Sequence, residues 1–133
     1  AAGAALSPAL SPALSLTVMA ARMAGLAVLD GVWNDLEDEA GLAEDCARAA
    51  DFGFDGKTLI HPRQIAACNA AFTPSDEEVT AARRIIAAFE DPANRGRAAL
   101  RVDGRMVEPL HRETALKLVA LADAARLSIS PFD

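Results

Sequence analysis

Apolar and polar positions along this chain fall into blocks that read as helix, strand, helix, strand, helix. Leu16, Val18, Met19 and Met23 recur at helical spacing over residues 15–24, and Gly25 closes the block. Leu26 to Trp33 is an apolar run of strand length, the pattern of a strand covered on both faces. An acidic link, Asp35 to Asp38, leads into a helix over Glu39–Phe52 that ends at Gly53. A second glycine turn at Gly56 precedes a strand expected over residues 57–61, with Thr58, Leu59 and Ile60 as its apolar centre. Pro62 then suits the first turn of a helix running from Arg63 to residue 71. Two strands joined by a helix through short links form the unit of a parallel sheet, so the fold class is α/β.

The second half changes character. Ser75-Asp-Glu-Glu78 is a capping-box signature, and Val79, Ala82, Ile86 and Phe89 follow it on one helical face. Asp91 to Gly96 is a polar break carrying proline and glycine, read as the boundary between the strand–helix units and an appendage. Ala98 to Val107 is a short hairpin centred on Asp103-Gly104, a pair that favours a type I′ turn. Glu108-Pro109 opens a last helix with Leu110, Leu118, Leu121, Ala122 and Ala125 on one side. Residues 1–14 repeat an Ala-Leu-Ser-Pro unit, and Pro8 and Pro12 argue for a linker there. The expected organisation is a linker over 1–14, strand–helix units over 15–91 and a hairpin–helix appendage over 97–127.

Composition narrows the function. With 133 residues, 52% of them hydrophobic and 24% charged, the chain reads as one folded domain. A net charge of −6 with scattered basic residues argues against a nucleic-acid surface. No stretch approaches the roughly 20 uninterrupted apolar residues of a membrane span. Cys46 and Cys68 sit in expected helices without a metal-ligand pattern, the usage of free thiols in a reducing cytoplasm.

The run Gly53-Phe-Asp-Gly-Lys-Thr-Leu-Ile-His-Pro-Arg-Gln-Ile65 resembles a segment of the citrate lyase beta-subunit-like family, which includes malyl-CoA lyases. These are metal-dependent aldolases acting on acyl-CoA thioesters. Leu29-Asp-Gly-Val-Trp-Asn-Asp35 is similar to the family's preceding strand, and Asn69-Ala-Ala-Phe-Thr-Pro74 to its following link. Gly104-Arg-Met-Val-Glu-Pro109 is similar to a lid motif, with glutamate where the family usually has aspartate. The resemblance runs in order from Leu16 to Ala125. It implies the C-terminal portion of a (β/α)8 TIM barrel, its last two strand–helix units, plus a hairpin–helix lid. A whole barrel needs roughly 250 residues, so a larger parent is expected.

The resemblance also assigns roles. Glu108 is implied as the general base that exchanges a proton with the methyl carbon of a CoA thioester. The residue pattern alone offers a second reading, since acids are favoured at helix starts. Asp30 is a carboxylate inside an apolar strand, costly unless paired. It is either a substrate or CoA contact or a strand-end residue paired to the backbone or an arginine. Ile60, His61 and Pro62 close the second strand, where barrel enzymes bind ligands. They line the CoA or substrate mouth, or His61 braces its own loop. Lys57 reads as structural and at the opposite end of that strand. Asp35, Glu37, Asp38 and Glu39 read as solvated charge, and His111 as a surface histidine or a relay partner for Glu108.

The resemblance further implies magnesium, with its glutamate and aspartate ligands upstream of this segment and no metal ligand within it. It implies a small acyl-CoA and a short oxo-acid as partners, and a homo-oligomer, trimer or hexamer. The activity implied is cleavage or formation of a carbon–carbon bond, of the malyl-CoA or citramalyl-CoA type. Without the upstream ligands the isolated chain is expected to be inactive. The alternatives are a malyl-CoA thioesterase and a non-catalytic interaction or regulatory fragment.

Overall fold

The computed structural model describes residues 9–128. The chain divides between Phe72 and Thr73 into two compact units. The first holds α1 (Ser11–Ala24), β1 (Leu29–Asp30), α2 (Glu39–Phe52), β2 (Gly56–Lys57) and α3 (Ile65–Phe72). The second holds α4 (Asp76–Glu90), β3 (Leu100–Val102), β4 (Arg105–Val107) and α5 (Pro109–Ser128).

In the first unit β1 and β2 pair in parallel, Leu29 level with Gly56 and Asp30 level with Lys57, and α2 is the crossover between them. Asp38 caps α2, its carboxylate accepting from the Gly41 N–H, and Gly53 ends it in the left-handed conformation at φ 91°. Both strands are shorter than the apolar runs predict. Asp55 N–H donates to the Val28 carbonyl at 2.9 Å and Thr58 N–H to the Asp30 carbonyl at 3.0 Å, so pairing extends one bond either way and stops. The expected strand over 57–61 is therefore a correction: the ladder begins at Gly56, and Thr58 to His61 lie beyond it. Strand length is set by the partner, and the Ile60 N–H is taken by a side chain instead.

α1 corrects two further expectations. It begins at Ser11 within the supposed linker, because Pro12 falls in the first turn, where a missing N–H costs nothing. Residues 1–8, with Pro8, lie outside the described residues. Its buried stripe is Leu14 and Val18, whereas Leu16, Met19 and Met23 are exposed. The two sets stand about 180° apart at 3.6 residues per turn, so α1 is apolar on both sides and its pattern does not say which faces inward. Val18, Ala49 and Phe54 form one core cluster and Leu42, Cys46 and Cys68 another, with Phe72 packed against both.

In the second unit the capping box forms as the sequence predicts: Ser75 Oγ accepts from the Glu78 N–H, and the Glu78 carboxylate accepts from the Ser75 N–H at 2.8 Å. The Ser75 N–H, and after it the Ser75 hydroxyl, which donates to the same carboxylate at 2.8 Å, hold the Glu78 carboxyl below its ordinary range. The hairpin is antiparallel, Leu100 opposite Val107, and its Asp103-Gly104 turn has φ of 49° and 79°, the sign a type I′ turn requires. The α5 stripe holds in part: Ala122 is buried and Leu118 and Ala125 are half-buried, whereas Leu110 and Leu121 are exposed and Ala115, outside the expected stripe, is buried. α4 packs against α5 and the hairpin, so the polar break at Asp91–Gly96 lies within this unit.

Candidate functional site at the strand exits

The carboxyl ends of β1 and β2 bring the candidate residues of the first unit to one place. Asp30 and Lys57 are register partners on adjacent strands, and Lys57 Nζ lies 2.7 Å from Asp30 Oδ2. Lys57 stands level with Asp30, then, and not at the far end of its strand. Its side chain is 1% exposed and also pairs with Asp45 on α2, which Arg48 engages in turn. Two acids and two bases close a network whose formal charge is zero. Buried charge is tolerable on those terms, because each ion has its countercharge. A cavity of about 170 Å³ opens beside it, lined by Asp30, Gly31, Val32, Lys57, Leu14 and Phe54 among others.

His61 to Gln64 follow the exit of β2. His61 is extended, and its Nδ1 accepts from the Arg63 N–H at 3.2 Å across a single 3-10 turn, Pro62–Gln64. His61 thus braces its own loop and is half-buried, while Ile60 is 51% exposed and Pro62 is exposed. Gln64 is 2% exposed. Its Oε1 accepts from the Ile60 N–H at 3.0 Å, and its Nε2 donates to the Trp33 carbonyl at 2.9 Å. Sequence reasoning passed over Gln64, although it lies within the motif that carried the resemblance. Nothing in the spacing announces a partner 31 residues away.

Below the strands a second missed clamp closes the opposite end. Arg22 makes two bonds of 2.8 Å to the Asp55 carboxylate and one of 2.6 Å to the Gly53 carbonyl. Asp55 also accepts from the Val28 N–H at 2.7 Å. The Arg22 bonds, chiefly, hold the Asp55 carboxyl below its usual range.

The residues present do not form a magnesium site. Among the described residues no three His, Cys, Asp or Glu side chains are gathered to hold a metal ion. Asp30 and Asp45 are already paired with Lys57 and Arg48. The acidic link is spent locally: Asp35 accepts from the Glu37 N–H, Asp38 caps α2, and Glu37 faces Arg63 at 3.8 Å. Burial pushes the Cys46 thiol up, Cys68 adding to it, so Cys46 stays a protonated thiol in the core.

Glu108 belongs to the second unit. It precedes Pro109 at the start of α5 and is exposed. Its backbone N–H donates to His111 Nδ1 at 3.0 Å, so the imidazole caps the helix and meets the main chain of Glu108 rather than its carboxylate. The second unit does not itself bury that carboxylate.

The model of the C–C bond lyase family of the TIM-barrel fold matches residues 13–125. The chain belongs to this family. It is 49% identical to a (3S)-malyl-CoA thioesterase of Cereibacter sphaeroides over 82% of its length and 38% of the relative's. It is 37% identical to the citrate lyase beta subunit of Leuconostoc mesenteroides subsp. cremoris, over 81% of this chain and 36% of that one. Its backbone is similar to CitE of Mycobacterium tuberculosis, solved in complex with magnesium, acetoacetate and coenzyme A. That likeness has a TM-score of 0.69 at 35% identity, and covers 90% of this chain and 45% of the other. The chain thus spans less than two-fifths of the curated relatives it matches. Among the described residues no helix is long and apolar enough to cross a membrane.

Proposed function

We propose that this chain is the C-terminal part of a magnesium-dependent acyl-CoA carbon–carbon lyase, made of its last two strand–helix units and a hairpin–helix lid. The observation that carries the reading is the family match over residues 13–125, which runs through both strand exits and through Glu108. Asp30, Ile60, His61 and Pro62 line the mouth that receives the acyl-CoA. No residue of this segment is assigned to the metal; magnesium, bound by ligands expected upstream, would supply stabilisation of developing negative charge. Glu108 is the base. In the cleavage direction the carbinol hydroxyl loses its proton to solvent, and its O–H pair becomes the carbonyl bond of the oxo-acid. The bond between the carbinol carbon and the thioester's methylene carbon breaks at the same time, and its electron pair passes to the thioester. Glu108 delivers the proton that completes the methyl group, and removes it in the reverse direction.

The lid reaches the site of a neighbouring subunit in a trimer or hexamer, which supplies the burial that Glu108 lacks in its own unit. The setting is cytoplasmic. A second reading, thioester hydrolysis, is favoured by the 49% identity to a malyl-CoA thioesterase.

The test begins with the mass of the natively expressed protein. A species near ~30 kDa fits a whole barrel, and one of 13.9 kDa sinks the lyase reading in favour of an interaction fragment. Malyl-CoA is then supplied to the native protein. Acetyl-CoA and glyoxylate identify the lyase, and malate with free coenzyme A the thioesterase. Glu108→Ala is expected to lower kcat by roughly 10²–10⁴-fold, the worth of a positioned proton-transfer group. An unchanged kcat removes Glu108 from the chemistry.

A further inference from the structure

The chain leaves β1 and β2 in two separate segments, and one neutral side chain spans them. Gln64 bonds the main chain of both: Ile60, four residues before it, and Trp33, 31 residues before it. Its bond to Ile60 alone would make it a turn brace. The bond to Trp33 makes it a crosslink. An amide carries an acceptor and a donor on two separate atoms at its tip, and glutamine is the longer of the two side chains that end in one. Trp33 is held at its other end as well, its ring packed against Leu42, Cys46 and Cys68. A Cβ built on Gly41 would lie 2.6 Å from that ring. With its ring wedged and its carbonyl tied, Trp33 has little freedom left.

We propose that Gln64 is a positioning residue: a buried crosslink that sets the gap between the Asp30–Trp33 exit and the Ile60–Pro62 exit, so that the two walls of the acyl-CoA mouth move together. The reading of that mouth as the acyl-CoA site rests on the function proposed above. The crosslink itself does not.

Gln64→Glu separates the two bonds. The introduced carboxylate still accepts from the Ile60 N–H, but it has no donor for the Trp33 carbonyl and repels it. Protonation restores an O–H donor. The full chain is followed by residue-resolved amide exchange and by the emission of Trp33, its single tryptophan. In the wild type the Ile60 amide is protected although it lies outside a strand. In Gln64→Glu that protection persists, while Trp33 emission shifts to the red and returns to the wild-type position as pH falls. A packing role alone would not give that pH profile. Gln64→Met loses both signatures; should it fail to fold, the wild-type exchange and the Gln64→Glu profile decide.

An Ile60 amide exchanging as fast as an unprotected peptide overturns the crosslink, as does Trp33 emission in Gln64→Glu that matches the wild type at every pH. Coenzyme A alone is the binding probe. The wild type binds it, and Gln64→Glu binds about tenfold more weakly at neutral pH, the equivalent of one hydrogen bond. Equal binding by both overturns the coupling of the crosslink to the site. No binding by the wild type counts against the acyl-CoA reading, and exchange and emission then decide the crosslink by themselves.

Discussion

The two ends of the parallel strand pair are stapled by opposite kinds of chemistry. At the amino-terminal end Arg22 and Asp55 face each other as full charges, with side chains 47% and 37% exposed. At the carboxyl-terminal end Gln64 does the same work with a neutral amide that is 2% exposed. An exposed ion pair is screened by water and salt, so its net worth is small even when bidentate. A buried amide is modest as a bond but expensive to remove, because its main-chain partners are left dry and unpaired. The carboxyl-terminal end carries the uncharged staple, which adds no charge of its own beside the Asp30–Lys57 pair.

Between the staples sits the most heavily charged point of the unit, and it should give the largest effect. Lys57→Met removes the cation that Asp30 depends on and that Asp45 shares with Arg48. Breaking one partner out of a buried pair costs about 3–5 kcal/mol, read as a fall in unfolding free energy by chemical denaturation. Adding Asp30→Asn should recover part of that loss. A single-variant loss below about 1 kcal/mol would mean that the network is solvated and comparable to the Arg22–Asp55 pair.

Next in size is Gln64→Met, which keeps length and burial and strands two main-chain groups. A cost of about 1–3 kcal/mol is expected for each group left unpaired. The loss should be the same in low and high salt. Salt dependence there would erase the contrast between the two ends.

How far the sequence revealed these features depends on how local each one is. Gly53 as a helix stop, the Ser75–Glu78 capping box and the Asp103-Gly104 turn were readable, because each is decided by a few adjacent residues. Strand extents were not. Thr58 to Ile60 have strand-like side chains, yet Gln64 claims the Ile60 N–H and takes the segment out of the ladder. The inward face of α1 was misread because Leu16, Met19 and Met23 mirror Leu14 and Val18 across the helix. In the site, the His61-Pro62 exit was legible as a motif, and Asp30 as a carboxylate needing a partner. That the partner is Lys57, 27 residues on, follows from strand register, and register is a tertiary fact.

The smallest expected effect is also the one that most directly separates the two ends. Arg22 lowers the pKa of Asp55 in the folded chain, so the carboxylate contributes stability above its ordinary unfolded value of about 3.9. That contribution is lost as pH falls through the lower, folded value. Asp55→Asn should therefore cost a little stability at neutral pH and nothing at the acid end, so the two unfolding curves converge as the carboxylate is protonated. High salt should shrink the neutral-pH difference further, since both side chains meet solvent. The Gln64→Met cost has no titrating group behind it and should stay level across the same range. If Asp55→Asn also shows a flat, salt-independent loss, the Val28 N–H bond rather than the charge of Arg22 is what Asp55 contributes. The amino-terminal staple would then belong to the same class as the carboxyl-terminal one.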